Sequence, residues 1–117
     1  MGLGAAGQRH ARNLRSLPGD GVKLRALRRR GAGCALSDAL EPQTGVLPER
    51  SLNIKVLHDL NDALDTRPDG VIVSDPTTMH LTTASAALDA GCAILIEKPL
   101  SHSWKGVPEF LADASRS

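Results

Sequence analysis

Two four-residue runs, Gly70-Val71-Ile72-Val73 and Ala93-Ile94-Leu95-Ile96, are apolar throughout and rich in β-branched side chains. A half-exposed strand alternates apolar and polar residues, so unbroken runs of this kind predict strands covered on both faces. Between them, Thr78 to Ala90 is rich in Ala and Leu and closes at Gly91, the composition of a helix with its stop. Strands of this type separated by a helix argue for a parallel sheet wrapped by helices.

The remaining segments extend that alternation. Residues 5–17 read as a helix through Ala6, His10, Leu14 and Leu17, ended by Pro18-Gly19-Asp20. Val22 to Leu27 alternates like a strand. Residues 31–53 carry Gly, Pro, Ser and Asn without a clear period and read as loop, with a helical turn expected at Ala35–Leu40. Lys55–His58 reads as a short strand and Leu60–Thr66 as two helical turns before Arg67-Pro68. Ser103 is expected to cap a last helix with Trp104, Val107, Leu111 and Ala114 on one face. The fold expected is α/β with a doubly wound parallel sheet, one domain over residues 1–117.

With one Phe, one Trp and no Tyr, the core has to come from Leu, Val, Ile and Ala. No apolar run approaches the roughly 18 residues of a membrane span. The start lacks the charged and apolar regions of a secretory signal, so the reading is cytoplasmic. Cys34 and Cys92 have no zinc or CxxC spacing and read as unpaired thiols; no metal site is expected. Residues 1–30 hold eight basic side chains against Asp20 alone, whereas residues 31–117 carry a net −6. The amino-terminal part is therefore expected to meet an anion.

Gly2-Leu3-Gly4-Ala5-Ala6-Gly7 fits G-x-G-x-x-G at a helix start. In a dinucleotide fold such glycines make the tight turn, let backbone approach a pyrophosphate and pack the helix closely, while free helix N–H groups face the phosphates. About twenty residues further on, such a fold uses an acidic residue for a ribose hydroxyl. Here that zone reads Leu27-Arg28-Arg29-Arg30, and guanidinium suits a 2′-phosphate, which favours NADP over NAD. No aromatic side chain interleaves with the arginines, so a nucleic-acid patch is disfavoured. Asp75-Pro76-Thr77 and His80 follow the first buried strand, and Glu97-Lys98-Pro99 follow the second. Open parallel sheets bind ligands at those carboxyl ends.

Taken together, Gly2-Leu3-Gly4 with Gly7-Gln8-Arg9-His10, then Pro76 and His80, then Glu97-Lys98-Pro99, resemble the amino-terminal domain of the Gfo/Idh/MocA oxidoreductases. The resemblance covers nearly the whole chain, and Glu-Lys-Pro after a buried strand is its most specific piece. It implies a Rossmann domain holding NADP or NAD, with Gly2, Gly4, Ala5, Ala6 and Gly7 along the pyrophosphate and Arg28 and Arg29 near the adenosine ribose. Asp75, Pro76, Thr77 and His80 would border the cofactor, and Glu97, Lys98 and Pro99 would lie beside the nicotinamide. Lys98 would be the catalytic residue, assisting proton transfer to or from a substrate hydroxyl while hydride moves.

The implied reaction passes hydride between a nicotinamide cofactor and the hydroxyl or keto carbon of a sugar, sugar nucleotide or polyol. The implied full-length form is a homo-oligomer without nucleic-acid or membrane partners. A non-catalytic dinucleotide- or partner-binding module is the alternative. The resemblance also implies a first strand before Gly2 and a carboxyl-terminal substrate domain, neither found in these 117 residues. The expectation is therefore a partial Rossmann domain, inactive by itself, whose neighbouring strands lack a partner and whose glycine turn lacks an upstream anchor. Asp75 departs from the family's usual Thr or Asn, and turned inward it would face cofactor phosphate.

Overall fold

A computed structural model describes the chain except Asp20, Arg30, Gly31 and Ala32. Asp20 of the expected helix stop and Arg30 of the basic run thus lie outside the described residues.

Helix α1 (Ala5–Arg15) follows the glycine-rich start, and Ser16 closes it by donating to the carbonyls of Arg12 and Asn13. Strand β1 (Arg25–Leu27) pairs in parallel with β4 (Lys55–Leu57). The expected strand start at Val22 is not realised, because Arg15 Nη1 donates to the Val22 carbonyl at 2.9 Å and takes it from the ladder. Helix α3 (Leu60–Asp65) is capped by Asp59, whose carboxylate accepts from Asn61 and Asp62 N–H, and it packs on β1 and β4.

Strands β5 (Gly70–Val73) and β6 (Ala93–Ile96) pair in parallel over their full length, as expected. The expected cover on both faces is not realised: Val71 and Val73 are buried, no residue of β6 is, and Leu95 is 49% exposed. A 3₁₀ turn at Thr77–Met79 leads into α4 (His80–Asp89), which packs on both strands. Val71, Val73, Ala84, Ala87, Cys92 and Phe110 form the larger core cluster, and Leu3, Ala11, Ala26 and Ile54 a smaller one.

The stretch between β1 and β4 corrects the expectation of a helical turn at Ala35–Leu40. Strand β2 (Ala35–Leu36) pairs antiparallel with β3 (Pro42–Gln43), followed by the short helix α2 (Pro48–Ser51). The cause is Gln8 of α1, which is 3% exposed. Its carboxamide donates to the carbonyls of Cys34 and Leu3 and accepts from Leu36 N–H, so residues 34–36 must be extended to reach it.

The last helix also differs. Helix α5 (Val107–Ala114) starts after Gly106 at φ +81°, not at Ser103, and buries Val107 and Phe110. Trp104 precedes it and is 75% exposed, and Leu111 faces outward. Gly106 turns the chain in the left-handed region, and Pro108 fits a first helical turn, which needs no N–H there.

The opening residues correct a further expectation, that the glycine turn has no anchor. Met1 donates its amino group to the Ile72 carbonyl and accepts from Ser74 N–H at 2.8 Å, the bond pattern of a parallel strand opposite Val73. Gly2 N–H donates to the Leu27 carbonyl at 3.1 Å. Met1 and Gly2 thereby join the carboxyl ends of β1 and β5. Upstream of that junction the strands diverge around a cleft of about 1100 Å³, with Leu24, Ala26, Val71 and Ile72 in its walls.

Candidate functional site

The segments after Met1-Gly2, β1, β5 and β6 all emerge at the carboxyl ends of parallel strands. Their geometry differs from one to the next.

At the glycine turn, Gly2 has φ +91°, and a Cβ there would lie 2.6 Å from the Ser74 carbonyl oxygen. A Cβ on Gly7 would strike the Gly2 carbonyl. Both glycines therefore serve close backbone packing. Gly4 is different: it is the N-cap of α1, it is exposed, and a Cβ on it would meet nothing within 4 Å. No side chain caps the helix, no acidic residue sits in its first turn, and among the described residues no acceptor meets the N–H groups of Ala5, Ala6 and Gly7. Unpaired donors at a helix start carry partial positive charge, and open space before them suits an anion. These residues fit the diphosphate of a dinucleotide.

At the end of β1 the two arginines separate. Arg28 is turned under the fold toward Glu49 of α2, with Nη1 donating to Oε1 at 3.2 Å. Nη2 and Oε2 stand 3.0 Å apart, an ion contact without hydrogen-bond geometry. Arg29 is exposed and its side chain has no partner among the described residues. Of the two, Arg29 is the one with a guanidinium to offer.

After β5, Asp75 turns away from the glycine amides. Its Oδ2 accepts from the Thr83 hydroxyl at 2.7 Å, and its Oδ1 lies 3.9 Å from His80 Nε2. Pro76 is exposed and Thr77 half-buried at the start of the 3₁₀ turn. His80 is buried behind this loop, its ring between the carbonyls of Asp75 and Pro99 at 2.8 and 2.9 Å. The structure thus gives His80 contacts to two loops rather than a face on the crevice.

After β6, Glu97 N–H continues the ladder by donating to the Val73 carbonyl. The Glu97 carboxylate meets His10 of α1, Nε2 to Oε1, at 2.5 Å. That hydrogen bond holds the Glu97 carboxyl below its usual range, against the opposing effect of desolvation and with help from the Lys98 backbone N–H. Lys98 is exposed, and its amine has no hydrogen bond or ion pair among the described residues. The Lys98–Pro99 peptide is cis.

Three partners were missed in the sequence: His10 as the mate of Glu97, Thr83 of Asp75, and Glu49 of Arg28. His10 stands three positions after Gly7, on the same helix face, which is a usable signal. Thr83 shares a helix face with His80 and Ala87. Nothing in the sequence links Glu49 to Arg28.

Comparison with known proteins fits this arrangement. The model of an oxidoreductase family with an NAD-binding Rossmann fold, GFO_IDH_MocA, matches residues 1–117. No curated protein matches. Among solved structures, myo-inositol 2-dehydrogenase from Lactobacillus plantarum is 28% identical with a TM-score of 0.70, over 98% of this chain and 31% of that one. UDP-N-acetylglucosamine 3-dehydrogenase GnnA from Acidithiobacillus ferrooxidans is 25% identical with a TM-score of 0.53, over 59% of this chain and 22% of that one. Scyllo-inositol dehydrogenase from Lactobacillus casei, solved with NAD(H) and scyllo-inositol, shares the fold at a TM-score of 0.74 and 21% identity, over 98% of this chain and 31% of that one. The chain spans no more than about a third of the length of these proteins.

Proposed function

The chain belongs to the Gfo/Idh/MocA oxidoreductase family, and from that membership we propose that it is the cofactor-holding part of a nicotinamide-dependent dehydrogenase. The observation that carries the reading is the uncapped start of α1, where Gly4 opens onto space and the amides of Ala5, Ala6 and Gly7 have no acceptor among the described residues. Gly2 and Gly7 let the turn close, and the three amides with Gly4 bind the diphosphate.

Arg29 reads the adenosine ribose, and its exposed guanidinium supports a 2′-phosphate and so NADP over NAD. Arg28 stands beside it near the adenosine ribose, its charge offset by Glu49. Asp75, Pro76 and Thr77 border the cofactor as the wall after β5, with His80 behind them. Glu97 and Pro99 flank Lys98 beside the nicotinamide.

The bound cofactor supplies a carbon that accepts or releases hydride. Lys98 is the catalytic residue: its Nζ takes the hydroxyl proton of the substrate or returns it. Its exposed amine has no hydrogen bond or ion pair among the described residues and is free for that task. The substrate class proposed is a sugar, sugar nucleotide or polyol. Solved structures of an inositol dehydrogenase and a UDP-sugar dehydrogenase, at 28% and 25% identity, support that class. The full-length form is proposed to be a cytoplasmic homo-oligomer, with neither nucleic acid nor membrane as partner. No helix among the described residues is long and apolar enough to cross a membrane.

The experiment is a fluorescence titration of the chain with NADPH and NADH. Saturable binding, tighter for NADPH and retained in Lys98→Ala, supports the reading. Absence of binding by either cofactor overturns it, and tighter NADH binding overturns the cofactor choice.

A further inference from the structure

We infer that His80 is a positioning residue: its ring, protonated at both nitrogens and balanced by Asp75, ties the loop that carries Lys98 to the loop after β5. The geometry stands by itself, while its bearing on catalysis rests on the role proposed above for Lys98.

The His80 side chain is 3% exposed. Its Nδ1 lies 2.9 Å from the Pro99 carbonyl oxygen and its Nε2 2.8 Å from the Asp75 carbonyl oxygen. A carbonyl oxygen only accepts, so each ring nitrogen has to donate. Neutral imidazole has one N–H, and both contacts are satisfied together only by imidazolium.

A second observation points the same way. Asp75 Oδ1 is buried without a hydrogen-bond partner and stands 3.9 Å from His80 Nε2. A buried carboxylate is costly unless a cation compensates it, and the ring is placed to do so. The remaining charges around the ring are few. Strands β5 and β6 and the 3₁₀ turn, all packed on α4, carry no ionisable side chain. Helix α5 brings only Glu109 and Asp113, both exposed, and α4 itself ends at Asp89. Past β6, Glu97 is engaged by His10 and Lys98 is exposed. The Met1 ammonium also feels Asp75, but burial opposes its charge and lowers its pKa.

Asp75 directly precedes Pro76-Thr77, and Pro99 directly follows Lys98. One ring therefore fastens the cofactor wall and the Lys98 turn to each other. With Glu97 gripped by His10 on the other side, Lys98 sits between two held neighbours while its amine stays free.

The test is nuclear magnetic resonance of the ¹⁵N-labelled chain. The wild type is expected to show two N–H resonances for the His80 ring, and Asp75→Asn to lose one of them. In both Asp75→Asn and His80→Ala the backbone order parameter at Lys98 should fall from about 0.85 toward 0.6, while Val73 and Ala84 stay rigid. A wild-type ring with one bare nitrogen overturns the inference, and so does an unchanged Lys98 in Asp75→Asn. Should His80→Ala not fold, the wild-type spectrum and Asp75→Asn decide alone. Neither cofactor nor turnover enters the measurement, so failure of the Lys98 role and failure of the histidine tie are told apart.

Discussion

His10 and Glu97, 87 positions apart in the chain, meet Nε2 to Oε1 at 2.5 Å and join the first helix to the turn that carries Lys98. The bond favours the ionised carboxylate, so the folded pKa of Glu97 lies below its ordinary value of 4.5. A carboxyl depressed on folding adds stability that is fully present above the unfolded value and is lost as pH falls through the folded one. His10→Ala is expected to return Glu97 to the ordinary carboxylate range, read by carboxyl ¹³C titration. An unmoved Glu97 would show that His10 is not its main partner.

The three glycines of the opening turn are expected to differ in stability cost. Gly7→Ala drives a methyl into the Gly2 carbonyl, and Gly2→Ala adds a side chain at φ +91° against Ser74. Overpacking of this kind costs about 1–3 kcal/mol. Gly4→Ala meets open space at an ordinary φ of −74°, so it should cost least of the three, about 0.5–1 kcal/mol for the poorer N-cap. Urea denaturation of the three variants checks the order.

Gln8→Ala removes three hydrogen bonds that hold residues 34–36 and Leu3 to α1. Leaving those buried groups unpaired should cost about 2–3 kcal/mol. Amide exchange at Leu36 should accelerate before that at Val73. Equal acceleration at both would mean that the hairpin is not a separate unit.

Arg28 and Arg29 are expected to separate on substitution. Arg29→Ala should weaken NADP about tenfold relative to NAD, as loss of about 1.4 kcal/mol of charge-assisted bonding does. Arg28→Ala leaves Glu49 half-buried without its partner and should cost about 1–3 kcal/mol of stability with the cofactor ratio nearly unchanged. Paired calorimetric and denaturation measurements distinguish the two roles. A ratio that moves only in Arg28→Ala would reverse the assignment.

Strands β5 and β6 and helix α4 were legible from their apolar runs, although only the face of β5 with Val71 and Val73 is buried and Leu95 of β6 is 49% exposed. The glycine turn and the Glu97-Lys98-Pro99 turn were legible from backbone and charge requirements at strand ends. The hairpin at Ala35–Gln43 was not, since a side chain from α1 imposes its conformation. Helix α5 begins later than Ser103, a good cap in isolation, would suggest, because Gly106 and Pro108 set the boundary. The direction of Arg28 also depends on Glu49, a partner no local pattern announces.

The central claim is that the main-chain amides at the start of α1 hold a dinucleotide diphosphate. Isothermal titration of NADP and NAD into the chain and into Gly4→Glu tests it most directly, because the new carboxylate enters open space at the helix start without crowding the fold. The account predicts binding to the wild type and loss of at least tenfold affinity for both cofactors in Gly4→Glu, with unfolding midpoints alike. Equal affinity in the two proteins, or no heat with the wild type, would contradict it.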